Sequence, residues 1–148
     1  MKCYKVKLQM VKEKAVEYDP VIKIPMDVVK FINSIENYDL SINERAVVIA
    51  LNTKNHIVAY TEISIGNVNA CSMNPADIFR FLFTTNSNKF ILVHNHPSGD
   101  STPSGIDIDI TKRIQKISDL MQVEFLDHIV IGDNSYTSIF EYIEKEVK

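Results

Sequence analysis

The chain has 148 residues, 45% of them apolar and 24% charged, with a formal net charge of −3. That length fits one domain with a substantial core, and no apolar run approaches the roughly 20 residues of a membrane span. The acidic balance disfavours a large nucleic-acid footprint, and the N-terminus lacks the apolar stretch of a signal peptide, so the cytoplasm is the expected location. A single domain over residues 1–148 is expected, with residues 1–20 as an edge strand and connector. Cys3 and Cys71 are far apart and match no metal or disulfide spacing. They read as small buried hydrophobes.

In chain order, Tyr4, Val6, Leu8 and Met10 alternate with Lys5, Lys7 and Gln9. That is a strand with one wet face at a sheet edge. Pro25 suits the first position of a helix, and Val28, Val29, Ile32 and Ile35 repeat at helical spacing over about 25–36. Residues 37–43 form a loop. The run 45–51 is almost wholly apolar, as expected for a strand buried on both faces. The polar turn 52–55 leads into a return strand over 56–65, which Gly66-Asn67 ends. Asn74-Pro75 opens a second helix, with Asn as cap and Asp77 in the first turn. Its buried face is Ile78, Phe79, Leu82 and Phe83. Residues 89–93 form a short central strand. A third helix starts at Ser104, with Ile106, Ile110, Ile114, Ile117 and Met121 as its apolar stripe. A strand over 123–131, a turn at 132–134, a short strand from Tyr136 and a terminal helix over 139–147 complete the chain. Helices alternating with strands imply an α/β fold: three layers, α/β/α, around a mixed central sheet.

The chemistry concentrates between residues 94 and 107, His-Asn-His-Pro-Ser-Gly-Asp-Ser-Thr-Pro-Ser-Gly-Ile-Asp. In an extended segment His94 and His96 point to the same side. Asp107 falls at the border of the third helix's stripe, where it can turn toward the histidines. Two imidazoles and a carboxylate suit divalent zinc and leave one position open, as catalytic sites do. Asp107 has a competing role, because Ser104-x-x-Asp107 is also a capping box. The metal reading is preferred, since the intervening loop has little length in which to wander. Ser104 is placed to cap the helix and to offer its hydroxyl to the open position. A general base must come from elsewhere. Glu44, just ahead of the buried strand, and Glu62, near the end of its partner, qualify equally. His56 reads as a solvent-facing turn residue and His128 as a histidine bonded to local backbone. Asp100 and Asp109 read as solvated acids. Lys112, Arg113 and Lys116 read as a solvated helix face.

The stretch His94-x-His96-Pro97-Ser98-Gly99-Asp100-x-x-Pro103-Ser104-x-x-Asp107 resembles the JAMM motif of the JAB/MPN metalloproteases. In detail it is similar to the RadC-like branch, historically labelled DNA repair proteins. Residues 47–52 ahead of a hairpin, 74–78 at a helix start and 126–132 extend the likeness, which covers roughly 20–143. The resemblance implies a JAB/MPN-like fold and a zinc ion on His94, His96 and Asp107. It implies that Ser104 assists a tetrahedral intermediate and that Glu44 is the general base, with Glu62 in reserve. It implies a metallo-hydrolase acting on an unidentified peptide or protein substrate, as a peptidase or isopeptidase. The alternatives are a DNA repair or recombination-associated factor, or a non-catalytic adaptor of a mobile element. RadC-like proteins often carry an N-terminal helix-hairpin-helix module, and nothing before residue 20 matches one, so a standalone domain is expected. The loops are shorter than the insertions with which ubiquitin-cutting relatives grip their substrate.

Overall fold

The computed structural model describes residues 2–5, 7, 9–17, 21–36, 38, 41–66 and 73–146. The elements follow the expected order: α1 (Pro25–Ile35), β1 (Glu44–Leu51), β2 (Ile57–Gly66), α2 (Pro75–Thr84), β3 (Lys89–Asn95), α3 (Gly105–Met121), β4 (Glu124–Gly132), β5 (Ser135–Ser138) and α4 (Ile139–Glu146). The sheet order is β2-β1-β3-β4-β5. Only β3 and β4 run parallel; the other neighbours are antiparallel, so the sheet is mixed. The parallel pair needs a crossover, and α3 provides it.

Two cores lie on opposite faces of the sheet. On one face α1 sets Val28, Phe31 and Ile32 against Val47, Ile49, Ile91, Val93 and Ile129. On the other face α2, α3 and α4 set Ile78, Leu82, Ile114 and Phe140 against Ala46, Val48, Phe90, Leu92 and Phe125. Phe125 stacks on Phe90 with ring centroids 4.6 Å apart and meets the edge of Phe140 at 5.1 Å. Residues 46–51 of β1 are buried on both faces, as their unbroken apolar run requires.

Three expectations need correction. The described residues of 2–17 carry no strand, and Tyr4 and Met10 are exposed. An alternating pattern shows which face a strand would bury, but pairing also needs a free partner edge within reach. Val6 and Leu8, in the same pattern, lie outside the described residues. Cys3 is exposed, against the expectation of burial, as are its described neighbours Lys2, Tyr4 and Lys5. Cys71, Asn67, part of the loop 37–43 and Val147 also lie outside the described residues. Finally, the isoleucine stripe of α3 holds only at its centre, where Ile114 is buried and Ile110 and Ile117 pack partly buried on the core, and polar residues share that face. Asp107, Thr111, Ile114 and Ser118 are buried, while Ile106 is 76% exposed and Met121 45%. The polar members bury at low cost because Thr111 and Ser118 donate back to the carbonyls of Asp107 and Ile114, at 2.6 and 2.9 Å.

On the α1 face, Arg45 gathers a polar cluster. Its Nε donates to Glu62 Oε2 at 2.8 Å, its Nη1 pairs with Glu36 at 2.9 Å, and its guanidinium lies 4.4 Å from the centre of the Tyr38 ring. The Tyr38 hydroxyl donates to Glu62 at 3.3 Å. Burial pushes this phenol from 10.0 up to about 12, and Arg45 opposes the rise. A folded-state pKa above the unfolded one means that this stability is intact below pH 10 and drains away as the pH climbs through 12. Urea unfolding at stepped alkaline pH should show the wild type losing about 2 kcal/mol more than Tyr38→Phe across this window. Parallel curves would contradict the assignment.

Candidate metal centre

β3 carries its last residues into the interior. His94 is fully buried, and the register pairs it with Ala46 of β1 and Val130 of β4. Partners across a ladder share a face, so His94 projects toward α3. The chain leaves the ladder at His96, whose N–H still donates to the Ile131 carbonyl at 2.8 Å. The following turn closes through Gly99 N–H on the His96 carbonyl at 2.9 Å. Gly99 sits at φ +82°, a region costly for a residue with a Cβ. Asp133 N–H donates back to the Gly99 carbonyl at 2.8 Å, stitching this loop to the end of β4.

Ser104 is the N-cap of α3. Its Oγ accepts from the Asp107 N–H at 3.2 Å, and Asp107 Oδ2 accepts from the Ser104 N–H and hydroxyl, each at 2.7 Å. The same carboxylate turns to both histidines: Oδ1 is 3.3 Å from His94 Nε2, and Oδ2 is 3.3 Å from His96 Nε2. Capping and metal presentation are therefore not rivals for Asp107. The cap fixes the direction in which the carboxylate points. The two Nε2 atoms lie 3.1 Å apart. His94, His96 and Asp107 each offer a ligand atom within 4.8 Å of the others, so the group is able to hold a metal ion. In this arrangement the Ser104 proton is committed to Asp107, and the hydroxyl must turn to face a fourth position.

Burial alone would raise the Asp107 carboxyl, but its contacts with His94, His96 and Ser104 outweigh that and hold it far below the usual carboxylate range. The contact with Asp107 raises His96 above the ordinary histidine value against the opposing effect of burial; the Asp100 carbonyl and Glu44 add to the rise.

Thr111 and Asn95 escaped the sequence reading, and His128 makes contacts other than the expected ones. His128 is fully buried, and its ring faces side chains rather than local backbone: Nε2 lies 2.8 Å from His94 Nδ1, and Nδ1 lies 2.6 Å from Thr111 Oγ1. Burial, then the neighbouring His94 ring, pushes it well below the ordinary histidine value. Thr111 sits one helical turn after Asp107 and was hidden by the assumed stripe. Asn95, between the two histidines, is 1% exposed. Its Oδ1 accepts from the Arg45 N–H at 2.8 Å and its Nδ2 donates to the Asn43 carbonyl at 3.1 Å, clamping both neighbours of Glu44. A single histidine in the otherwise apolar run 128–131 was the available signal for His128.

The two glutamates fall on opposite faces. Glu44 is two residues before Ala46 and shares its side of β1, the side of His94. Glu62 pairs with Val47 on the α1 side, where Arg45 and Tyr38 hold it. Among the remaining residues, His56 is half-buried in the hairpin and bridges Val21. Asp100 and Asp109 are exposed, as are Lys112, Arg113 and Lys116. No described helix is long and apolar enough to cross a membrane.

Residues 22–145 match the family described as the RadC-like JAB domain. The chain is 41% identical to a UPF0758 protein of Desulfitobacterium hafniense over 122 residues, which is 82% of this chain and 53% of that protein. It is 50% identical to a UPF0758 protein of Alkaliphilus metalliredigens over 91 residues, 62% of this chain and 39% of the relative. A UPF0758 protein of Bacillus velezensis is 39% identical over 121 residues, covering 82% and 52%. The chain thus spans about half the length of the curated relatives it matches. With a mixed sheet that brings His94, His96 and Asp107 to one point and a family match that runs from α1 into α4, the chain belongs to the RadC-like JAB domain family.

Proposed function

We propose that this chain is a zinc-dependent hydrolase of amide bonds, a peptidase or isopeptidase. One observation carries the reading: acceptors face acceptors. His96 Nδ1 lies 2.8 Å from the Asp100 carbonyl, which can only accept, so Nδ1 carries a proton, and in the neutral ring Nε2 then presents a lone pair. That lone pair meets the Asp107 carboxylate and His94 Nε2 within 4.8 Å. A cation resolves the clash, and two imidazoles with one carboxylate match the three-ligand catalytic zinc set with a fourth position open. The His96–carbonyl bond is the outer-shell contact that metal-ligating histidines regularly make.

When bound, zinc supplies a Lewis acid that lowers the pKa of water to about 7 and polarises a carbonyl oxygen. The protein contributes the proton transfers. Glu44, on the His94 side of β1 and clamped at both flanks by Asn95, takes the proton of the attacking water and returns it to the leaving amine. Ser104 turns its hydroxyl from Asp107 to the developing oxyanion. A non-catalytic adaptor has no use for this ligand geometry, which favours the hydrolase.

Metal analysis tests the reading. The purified wild type should carry zinc at one per chain, or take it up at that ratio after chelation. His96→Ala should bind well below that ratio while remaining folded by circular dichroism. A wild type that binds no zinc, or an alanine variant that binds as well, contradicts the reading.

A further inference from the structure

The hydrogen bonds behind His94 have only one consistent direction. Thr111 Oγ1 lies 2.6 Å from the Asp107 carbonyl, which has no proton, so the threonine donates there. Its single proton is then spent, and the contact to His128 Nδ1 at 2.6 Å requires the ring to donate. His128 is fully buried, and its two nitrogens face Thr111 and His94 rather than a carboxylate, so the ring is neutral. A neutral ring protonated on Nδ1 has a bare Nε2. At 2.8 Å, that atom accepts from His94 Nδ1–H. A neutral His94 is left with its lone pair on Nε2, facing Asp107 and His96.

We propose that His128 is a positioning residue that sets the tautomer of His94, and that the relay Asp107 carbonyl–Thr111–His128–His94 locks the first turn of α3 to the end of β3. The proposal rests on the reading that His94 is a metal ligand. The relay matters because Asp107 Oδ1, 3.3 Å from His94 Nε2, is itself an acceptor that would draw the ring proton to the metal side. A second acceptor is needed behind the ring to draw it the other way. The parallel register places one: Leu92 pairs with His128 and His94 with Val130, so His128 stands one same-face step behind the ligand.

The test separates the two arms of the His128 ring. Glutamine places an acceptor near the former Nε2 and keeps the bond to His94. Asparagine reaches only as far as Nδ1 and keeps the Thr111 side. Zinc affinity is measured by competition with a chromophoric chelator, with thermal melts confirming folding. His128→Gln should remain within about threefold of wild type, while His128→Asn and His128→Phe should weaken by about 10–100-fold, as loss of an outer-shell partner does. Asparagine matching glutamine would overturn the proposal. Ring-nitrogen NMR on the metal-free wild type at about pH 8, above the ordinary histidine pKa, reads the tautomer without any metal or variant. His94 protonated on Nδ1 supports the relay, and protonation on Nε2 overturns it. If the wild type takes up no zinc, the hydrolase reading falls, and this spectrum still decides the role of His128.

Discussion

Glu44→Gln is expected to cut hydrolysis by about 10²–10⁴-fold, the usual contribution of a general acid–base group, while zinc content and melting temperature stay at wild-type values. The amide keeps the shape of the side chain and the Asn95 clamp on its flanking backbone, but it cannot accept a proton. With the substrate unidentified, the assay follows new N-termini in a proteome-derived peptide mixture treated with the zinc-loaded protein. Glu62→Gln is the necessary contrast. Glu62 lies on the α1 face and accepts from Arg45 Nε at 2.8 Å and Tyr38 at 3.3 Å. Its loss should lower stability by about 1.5–3 kcal/mol, as hydrogen bonds to charged groups do, and leave the rate per folded molecule unchanged. If Glu62→Gln silences the protein and Glu44→Gln does not, the assignment of the base is wrong.

Gly132→Ala should produce the largest structural effect of any small substitution near the centre. A Cβ at this position would lie 2.3 Å from the Gly99 carbonyl oxygen, 2.7 Å from the Ser101 nitrogen and 2.7 Å from Ser135 Oγ. The first two are backbone atoms, so no side-chain rotation relieves the clash. Residues 99–101 must move away from β4, and the Asp133–Gly99 bond at 2.8 Å must stretch or break. Overpacking of this kind costs about 1–3 kcal/mol or more, which at this chain length lowers the melting temperature by roughly 2–4 °C per kcal/mol. The same shift displaces the Asp100 carbonyl from His96 Nδ1, so zinc affinity should fall by about 10–100-fold. Gly105→Ala is the control. A Cβ added there would meet nothing within 4 Å, and alanine is favoured over glycine in a helix by about 1 kcal/mol. That variant should melt at or above the wild-type temperature. Should Gly132→Ala match it in melting temperature and zinc affinity, the loop is not held as described.

Much of this protein could be read along the chain because the relevant periods are local. Alternation, 3.6-residue spacing, Pro25, Asn74 and Ser104 mark where elements begin and which kind they are, and the backbone enforces those periods wherever the residues occur. The grouping of His94, His96 and Asp107 was legible for the same reason. His94 and His96 share a strand face, and Asp107 is three residues from its cap, so few conformations of the short loop between them are available.

The tertiary structure decided what depends on register between distant segments. An extra residue at Ile63, between the pairs Ala46–Ser64 and Val47–Glu62, puts Glu62 on the face opposite Glu44. The parallel pairing of β3 with β4 brings His128 behind His94, across 34 residues of sequence. The docking of α3 turned Thr111 inward and left Ile106 in solvent, because the carboxylate of Asp107 must reach both histidines. The segment near the N-terminus has a strand's alternation, yet its described residues carry no strand. Local periodicity specifies a face, whereas the partner that covers it is chosen by the summed packing and hydrogen bonding of the whole sheet, which no single window of sequence contains.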